Sequence, residues 1–172
     1  MVYPSDLAKS EYHSFYGPYI KALGQVDLMK ELVNGKQEFA DTLQSIALEK
    51  LSYRYEENKW SVAEVLMHIV DAERVFQYRA LRFARNDGTP LPGFDQDAYV
   101  PESKSADRER DAIFDEYETV RNASISLFRS FDAQILERVG VASGYEMSVR
   151  ALGFVICGHQ KHHLKILKER YL

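Results

Sequence analysis

Apolar side chains recur three and four residues apart through most of the chain, the spacing that lines one face of an α-helix. Between about Gln25 and Ser45 the repeat is Leu28, Leu32, Phe39 and Leu43, with Ile46 just beyond, and it runs on despite Gly35. This predicts a first long helix, followed by an irregular connection from Leu48 to Tyr55. A sharper start lies in Lys59-Trp60-Ser61-Val62-Ala63-Glu64-Val65. Ser61 offers an N-cap hydroxyl, Glu64 completes a capping box three residues on, and Trp60 can staple onto Val65. The second helix is therefore expected to reach about Phe83 or Arg85, with Val65, His68, Ala72 and Val75 along one line.

The pattern breaks from Asn86 to Ser103. Three prolines and two glycines in this segment forbid a helix, and its length exceeds what two antiparallel neighbours need. It reads as a crossover along the helices, or a lid, ordered by Leu91, Phe94, Tyr99 and Val100. A third helix is expected over Lys104 to Ser130, with Ile113, Tyr117, Val120, Leu127 and Phe128 as its stripe and Arg121 near the core beside an acid. Asp132 to Glu146, with Gly140 and Gly144, reads as a turn region, and Glu146 to Glu169 as a fourth helix. Residues 1–24 form an aromatic arm carrying Tyr3, Tyr12, Phe15, Tyr16 and Tyr19. A short helix at Ser5 to Ser10 is expected there, and Gly17-Pro18 is expected to break any helix.

Composition agrees with an all-α fold. Only 9 Gly and 5 Pro occur in 172 residues, strand-like alternation is scarce, and the length suits one domain over residues 1–172. The net charge of -4, with acids and bases interspersed, gives no electrostatic case for nucleic acid. The first residues lack a basic stretch followed by an apolar core, and no apolar run has the length of a membrane span. Secretion and membrane insertion are not expected. Cys157 is the single cysteine, so no internal disulfide forms and a reducing cytoplasm is compatible. Its simplest role is a small core residue rather than a ligand or nucleophile.

Against this background the histidines stand out. His159 follows Leu152, Val155 and Ile156 on an apolar stripe that Ile166 and Leu167 continue, and His163 lies one turn beyond it. Two inward imidazoles at i and i+4 can converge on one metal ion. The plainer alternative is a pair of hydrogen-bonded core histidines, or histidines favoured by a helix C-terminus. His68, inward on the second helix, supplies a third ligand if the metal reading holds. Glu64 and Asp71, one turn before and after His68, are candidate outer-shell acceptors, against the simpler roles of cap and surface charge. Asp95 and Asp97 read as solvated loop acids within reach of a site, and His13 as a half-exposed aromatic of the arm.

Several motifs together resemble a known family. Lys59-Trp60-Ser61-Val62, His68-Ile69, Asp71-Ala72-Glu73-Arg74, Tyr78-Arg79-Ala80-Leu81-Arg82, Leu91-Pro92-Gly93-Phe94 and Gly158-His159-x-x-His162-His163 resemble, in order and spacing, the DinB-like superfamily and its YfiT branch. The resemblance implies a four-helix bundle, often dimeric, with a divalent metal held by three histidines matching His68, His159 and His163. His162, about 100° around the helix from His163, is expected in the outer shell or at the surface. Some relatives resemble low-molecular-weight thiol S-transferases and others metal-dependent hydrolases. Three neutral imidazoles leave an ion its full charge and an open position, the catalytic rather than the structural pattern. The expectation is a thiol S-transferase acting on a small electrophile. Hydrolysis by metal-activated water stands second, and a non-enzymatic metal- or ligand-binding bundle remains a further alternative. Zinc or nickel, then iron or manganese, suit imidazole. The expected partners are a small-molecule substrate and a second copy in a homodimer. A site built from the second and fourth helices, with a solvent path beneath Asn86 to Ser103, would favour an enzyme; a sealed one would favour inert histidines.

Overall fold

Capping chemistry sets where three of the long helices begin. The Asp27 carboxylate accepts from Lys30 N, Ser61 accepts from Glu64 N while Glu64 accepts from Ser61 N at 2.6 Å, and Ser148 accepts from Ala151 N. In the computed structural model, which describes residues 1–172, seven helices and a hairpin follow in order. They are α1 (Gly17–Ala22), α2 (Leu28–Ser45), α3 (Val62–Ala84), α4 (Gln96–Glu102), α5 (Arg110–Arg129), α6 (Ala133–Leu136), the strands β1 (Val139–Ala142) and β2 (Tyr145–Ser148), and α7 (Val149–Arg170). The fold is the expected all-α bundle. Its four long helices are α2, α3, α5 and α7: both α2 and α3 pack against α5 and α7, and α1 lies along α7. No helix is long and apolar enough to cross a membrane.

The core divides into two apolar clusters. One gathers Leu32, Phe76, Phe83, Phe128 and Leu152; the other Phe39, Ile69, Ile113, Tyr117 and Leu164. Between them on every long helix sits a polar residue or a glycine: Gly35, Glu73, Arg121 and Gln160. Glu73 and Arg121 are each 2% exposed or less, and they form a bidentate pair at 2.8 Å for both bonds. Arg121 also donates to Gln160 Oε1 and to the Leu32 carbonyl, and Ser124 donates to Glu73. Gln160 Nε2 and Tyr117 OH both donate to the Gly35 carbonyl. A Cβ at residue 35 would sit 2.4 Å from Arg121 Nη1, so glycine is what lets the guanidinium reach this layer. Arg121 near the core beside an acid is thus found as expected.

Several expectations need correction. Gly17-Pro18 starts α1 instead of breaking it, because a proline in the first turn removes an N–H that has no helical partner anyway. The expected Ser5 to Ser10 helix is two 3-10 turns, Pro4–Asp6 and Lys9–Glu11. Seven residues of the crossover are helical despite Pro101, since Asp95 caps Asp97 N and Ala98 N and the proline falls in the last turn. The third helix starts only at Arg110, after a 3-10 turn at Ser105–Asp107, and the fourth at Val149. The residues before it form the antiparallel hairpin, with Val139 opposite Ser148. Ser143 and Gly144, at φ 54° and 83°, supply the two left-handed positions of its tight turn. Leu91 bridges to this hairpin, donating to the Val141 carbonyl and accepting from Ser143 N. The crossover is thereby fastened down.

Candidate functional site

Packing of α3 on α7 brings His68 against His159 and His163. The Nε2 atoms of His68 and His159 are 3.0 Å apart, and one ligand nitrogen from each of the three rings lies within 4.8 Å of the others. A tetrahedral ion with nitrogen ligands at 2.0–2.1 Å would separate them by about 3.3 Å, so an ion would open the His68–His159 pair slightly and draw the wider separations in. Trp60 packs on His68, and Tyr19 and Phe76 pack on His159. Gly158 makes room for Tyr19, whose carbonyl would lie 2.3 Å from a Cβ at that position.

Burial holds the three rings neutral. It lowers His68 to about 4, lowers His163 to about 3 with help from His68 and His162, and takes His159 well below the usual histidine range. Their lone pairs are therefore free at neutral pH, the state a metal ligand requires. This also makes the metal-free protein acid-sensitive. The unfolded chain takes up these protons near pH 6.5, whereas folded His68 resists until about 4. Between those values the unfolded state binds more protons, and stability falls as pH falls. Melting temperatures of chelator-treated protein are expected to drop steadily from pH 7 to 4.5. A flat profile would contradict neutral buried imidazoles.

The histidines floor a cavity of ≈ 450 Å³. Tyr16 and Tyr19 of the N-terminal arm and α1, Phe76 and Arg79 of α3, and Phe94 of the crossover wall it, and Gln96 reaches it too. The cavity thus runs beneath the 86–103 segment and is not sealed. No aspartate or glutamate lines it. His163 also borders a second cavity of ≈ 260 Å³ containing Lys59, Trp60, Asp97 and Tyr171.

The remaining predicted residues are placed as follows. Glu64 is committed to the Ser61 cap and Arg54, and Asp71 pairs with Arg74 at 3.5 Å; neither hydrogen-bonds a site histidine. Glu64 thus serves the cap and Asp71 an ion pair, with no direct hydrogen bond to the histidines that would support an outer-shell role. His162 is exposed at the cavity edge, against Tyr19 and beside His163. Cys157 is buried, its thiol pushed up to about 12 by desolvation, and it packs in the core. Asp95 caps α4, while Asp97 reaches the second cavity. His13 accepts from Phe15 N and lies on Tyr145, away from the site.

Sequence reasoning missed Phe76 and Arg79. The line from His68 through Ala72 continues to Phe76, not Val75, and then to Arg79, eleven residues or three turns from His68. That interval was the available signal.

Comparison with known proteins agrees with this architecture. A protein of Oceanobacillus iheyensis, whose description proposes a metal-dependent hydrolase, is 24% identical over 142 residues, covering 81% of each chain. The structure of YfiT from Bacillus subtilis, described as a four-helix bundle of unusual topology for which metal-dependent hydrolysis is proposed, superposes with a TM-score of 0.73. That match spans 95% of this chain and 89% of YfiT at 13% identity, a likeness of fold. The sequence model of the DinB superfamily matches residues 31–167, which carry all three site histidines and all four long helices of the bundle but for the ends of α2 and α7. The chain belongs to the DinB superfamily.

Proposed function

We propose that this chain is a metal-dependent enzyme in which His68, His159 and His163 hold a divalent transition metal and the activated nucleophile is a low-molecular-weight thiol, transferred to a small electrophile. The observation that carries this reading is the donor set itself: three neutral imidazoles on the floor of an open cavity that no carboxylate or thiol lines. A divalent ion in such a set acts as a Lewis acid and lowers the pKa of a bound thiol or water.

The lining favours thiol transfer over hydrolysis. Cleaving an amide or ester calls for a positioned acid to protonate the leaving group, and the main cavity offers no carboxylate for it, only exposed His162 at its edge. A thiol, with an ordinary pKa of about 8.5, needs far less help to ionise. Phe76, Phe94 and Tyr16 give the cavity apolar walls for an organic electrophile. His163 lines both cavities, so a ligand in either one would lie against this ring. Hydrolysis is the second reading, favoured by the descriptions of both relatives.

Zinc- and nickel-loaded protein, made without a histidine tag, should be assayed with a panel of small thiols against 1-chloro-2,4-dinitrobenzene and monobromobimane, and separately with p-nitrophenyl esters. Metal-dependent thiol consumption above the chelated control is expected. Metal-dependent ester cleavage with no thiol effect would replace transfer by hydrolysis, and neither activity would leave a binding bundle.

A further inference from the structure

Two arginines of this chain are almost fully buried, and they are treated differently. Arg121 has its carboxylate in Glu73. Arg79, 2% exposed, has none. It forms no salt bridge, and its only hydrogen-bond partners are neutral: Nη2 donates to the Pro92 carbonyl at 3.0 Å and to Ser143 Oγ at 2.9 Å. Phe94 lies against it, with the guanidinium carbon 6.0 Å from the ring centre. A buried cation without a counter-charge is costly, and proteins ordinarily pair it.

Nε and Nη1 of Arg79 make no bond within the protein, yet no fully buried polar side-chain atom lacks a partner. Those two donors therefore keep a little exposed surface, and the space that Arg79 lines is the histidine cavity. The guanidinium is also held in place. Pro92 and Ser143 come from the crossover and the hairpin turn, which the Leu91 to Ala142 bridge ties together.

We propose that Arg79 is the anchor for a carboxylate on the substrate or co-substrate whose reacting end lies at His68, His159 and His163. This rests on the reading of that site as a metal centre for small-molecule chemistry and adds the substrate class: an acidic compound. Arg79 is the single lysine or arginine among the residues lining the cavity, and no acid lines it, so one negative charge is what the wall can neutralise. A dianionic phosphate would bring a second charge with no partner. Guanidinium and carboxylate also match as planar, bidentate groups. Arg79 lies about 16 Å along α3 from His68, less the backward lean of its side chain. The ligand must therefore span several bonds between its acid and its reacting atom. Apolar Phe76 and Phe94 flank that middle portion.

The test compares 6-mercaptohexanoate, its methyl ester and 6-mercaptohexyl phosphate by titration calorimetry on zinc-loaded protein, and hexanoate on metal-free protein. Wild type is expected to bind the acid at least tenfold more tightly than the ester and more tightly than the phosphate. Arg79→Gln should erase the preference for acid over ester, and Arg79→Lys should keep part of it. Equal affinity of wild type for acid and ester overturns the proposal, whatever the variants do, and leaves the metal reading intact. Tighter binding of the phosphate overturns the choice of carboxylate. If none of the three thiols binds the zinc-loaded protein but hexanoate binds metal-free wild type and not Arg79→Gln, the anion site stands and the metal-thiol reading fails.

Discussion

His159→Ala is expected to lower the affinity for zinc or nickel by more than about 100-fold, above the 10–100-fold typical of losing a ligand's outer partner. His159 is the most deeply buried ring of the three. It is 6% exposed and makes ring contacts with both His68 and His163, so its loss leaves a two-imidazole set of much weaker affinity. The helix should survive the change. Alanine is the best helix former, and the position packs against the Tyr19 and Phe76 rings, which tolerate a small apolar neighbour. Removing a desolvated polar ring also removes a burial cost, which offsets part of the cavity created. The decisive readout is linkage: a ligand present at 100 times its Kd stabilises the folded state by about 2.7 kcal/mol. Wild type should melt higher when zinc is added, and His159→Ala should not, with the two chelated proteins close together. His162→Ala, altering the exposed neighbour, should keep the zinc-dependent rise. A His159→Ala protein that retained one equivalent of metal by elemental analysis would remove this residue from the ligand set.

Legibility from sequence followed the range of the interactions. The start of α3 was plain because its determinants, Ser61, Glu64 and Trp60, lie within five residues. The inward histidines were visible because helical spacing alone puts His159 and His163 on the stripe of Leu152 and Ile156. The hairpin was not. Its strands are four residues each, and the left-handed turn at Ser143-Gly144 makes sense only once the strands pair. Glu64 shows a competition that spacing cannot resolve, since its carboxylate is taken up by the Ser61 amide and Arg54 and makes no hydrogen bond to His68. Arg79 was obscured for another reason. An arginine on an otherwise apolar face ordinarily announces a salt bridge, and here its neighbours are a carbonyl and a hydroxyl from segments 13 and 64 residues away.

The polar layer gives the largest expected effect on stability. Arg121→Met should cost about 3–5 kcal/mol in denaturant unfolding, because Glu73 would be left in the core without its counter-charge, with Ser124 as its surviving side-chain partner. Arg121 is held charged: burial opposes this, and the neighbouring Glu73 carboxylate outweighs it, raising the guanidinium above its ordinary value. Glu73→Leu strands the opposite charge and should cost a similar amount. The double change Glu73→Leu/Arg121→Met should cost much less than the sum, since neither charge is left behind and well-packed apolar pairs replace buried ion pairs at little loss. A double variant as unstable as the sum would show the pair to be a net source of stability. The layer also has a stake in the site. Gln160, which accepts from Arg121 and donates to the Gly35 carbonyl, is the residue after His159 and fixes the rotation of α7. In the double variant Gln160 loses its Arg121 contact. Zinc affinity should therefore fall by about 10–100-fold, as for other losses of outer support, even where stability recovers. Recovery of stability together with unchanged zinc affinity would separate the polar layer from the histidine site and leave it a purely structural clamp on the four helices.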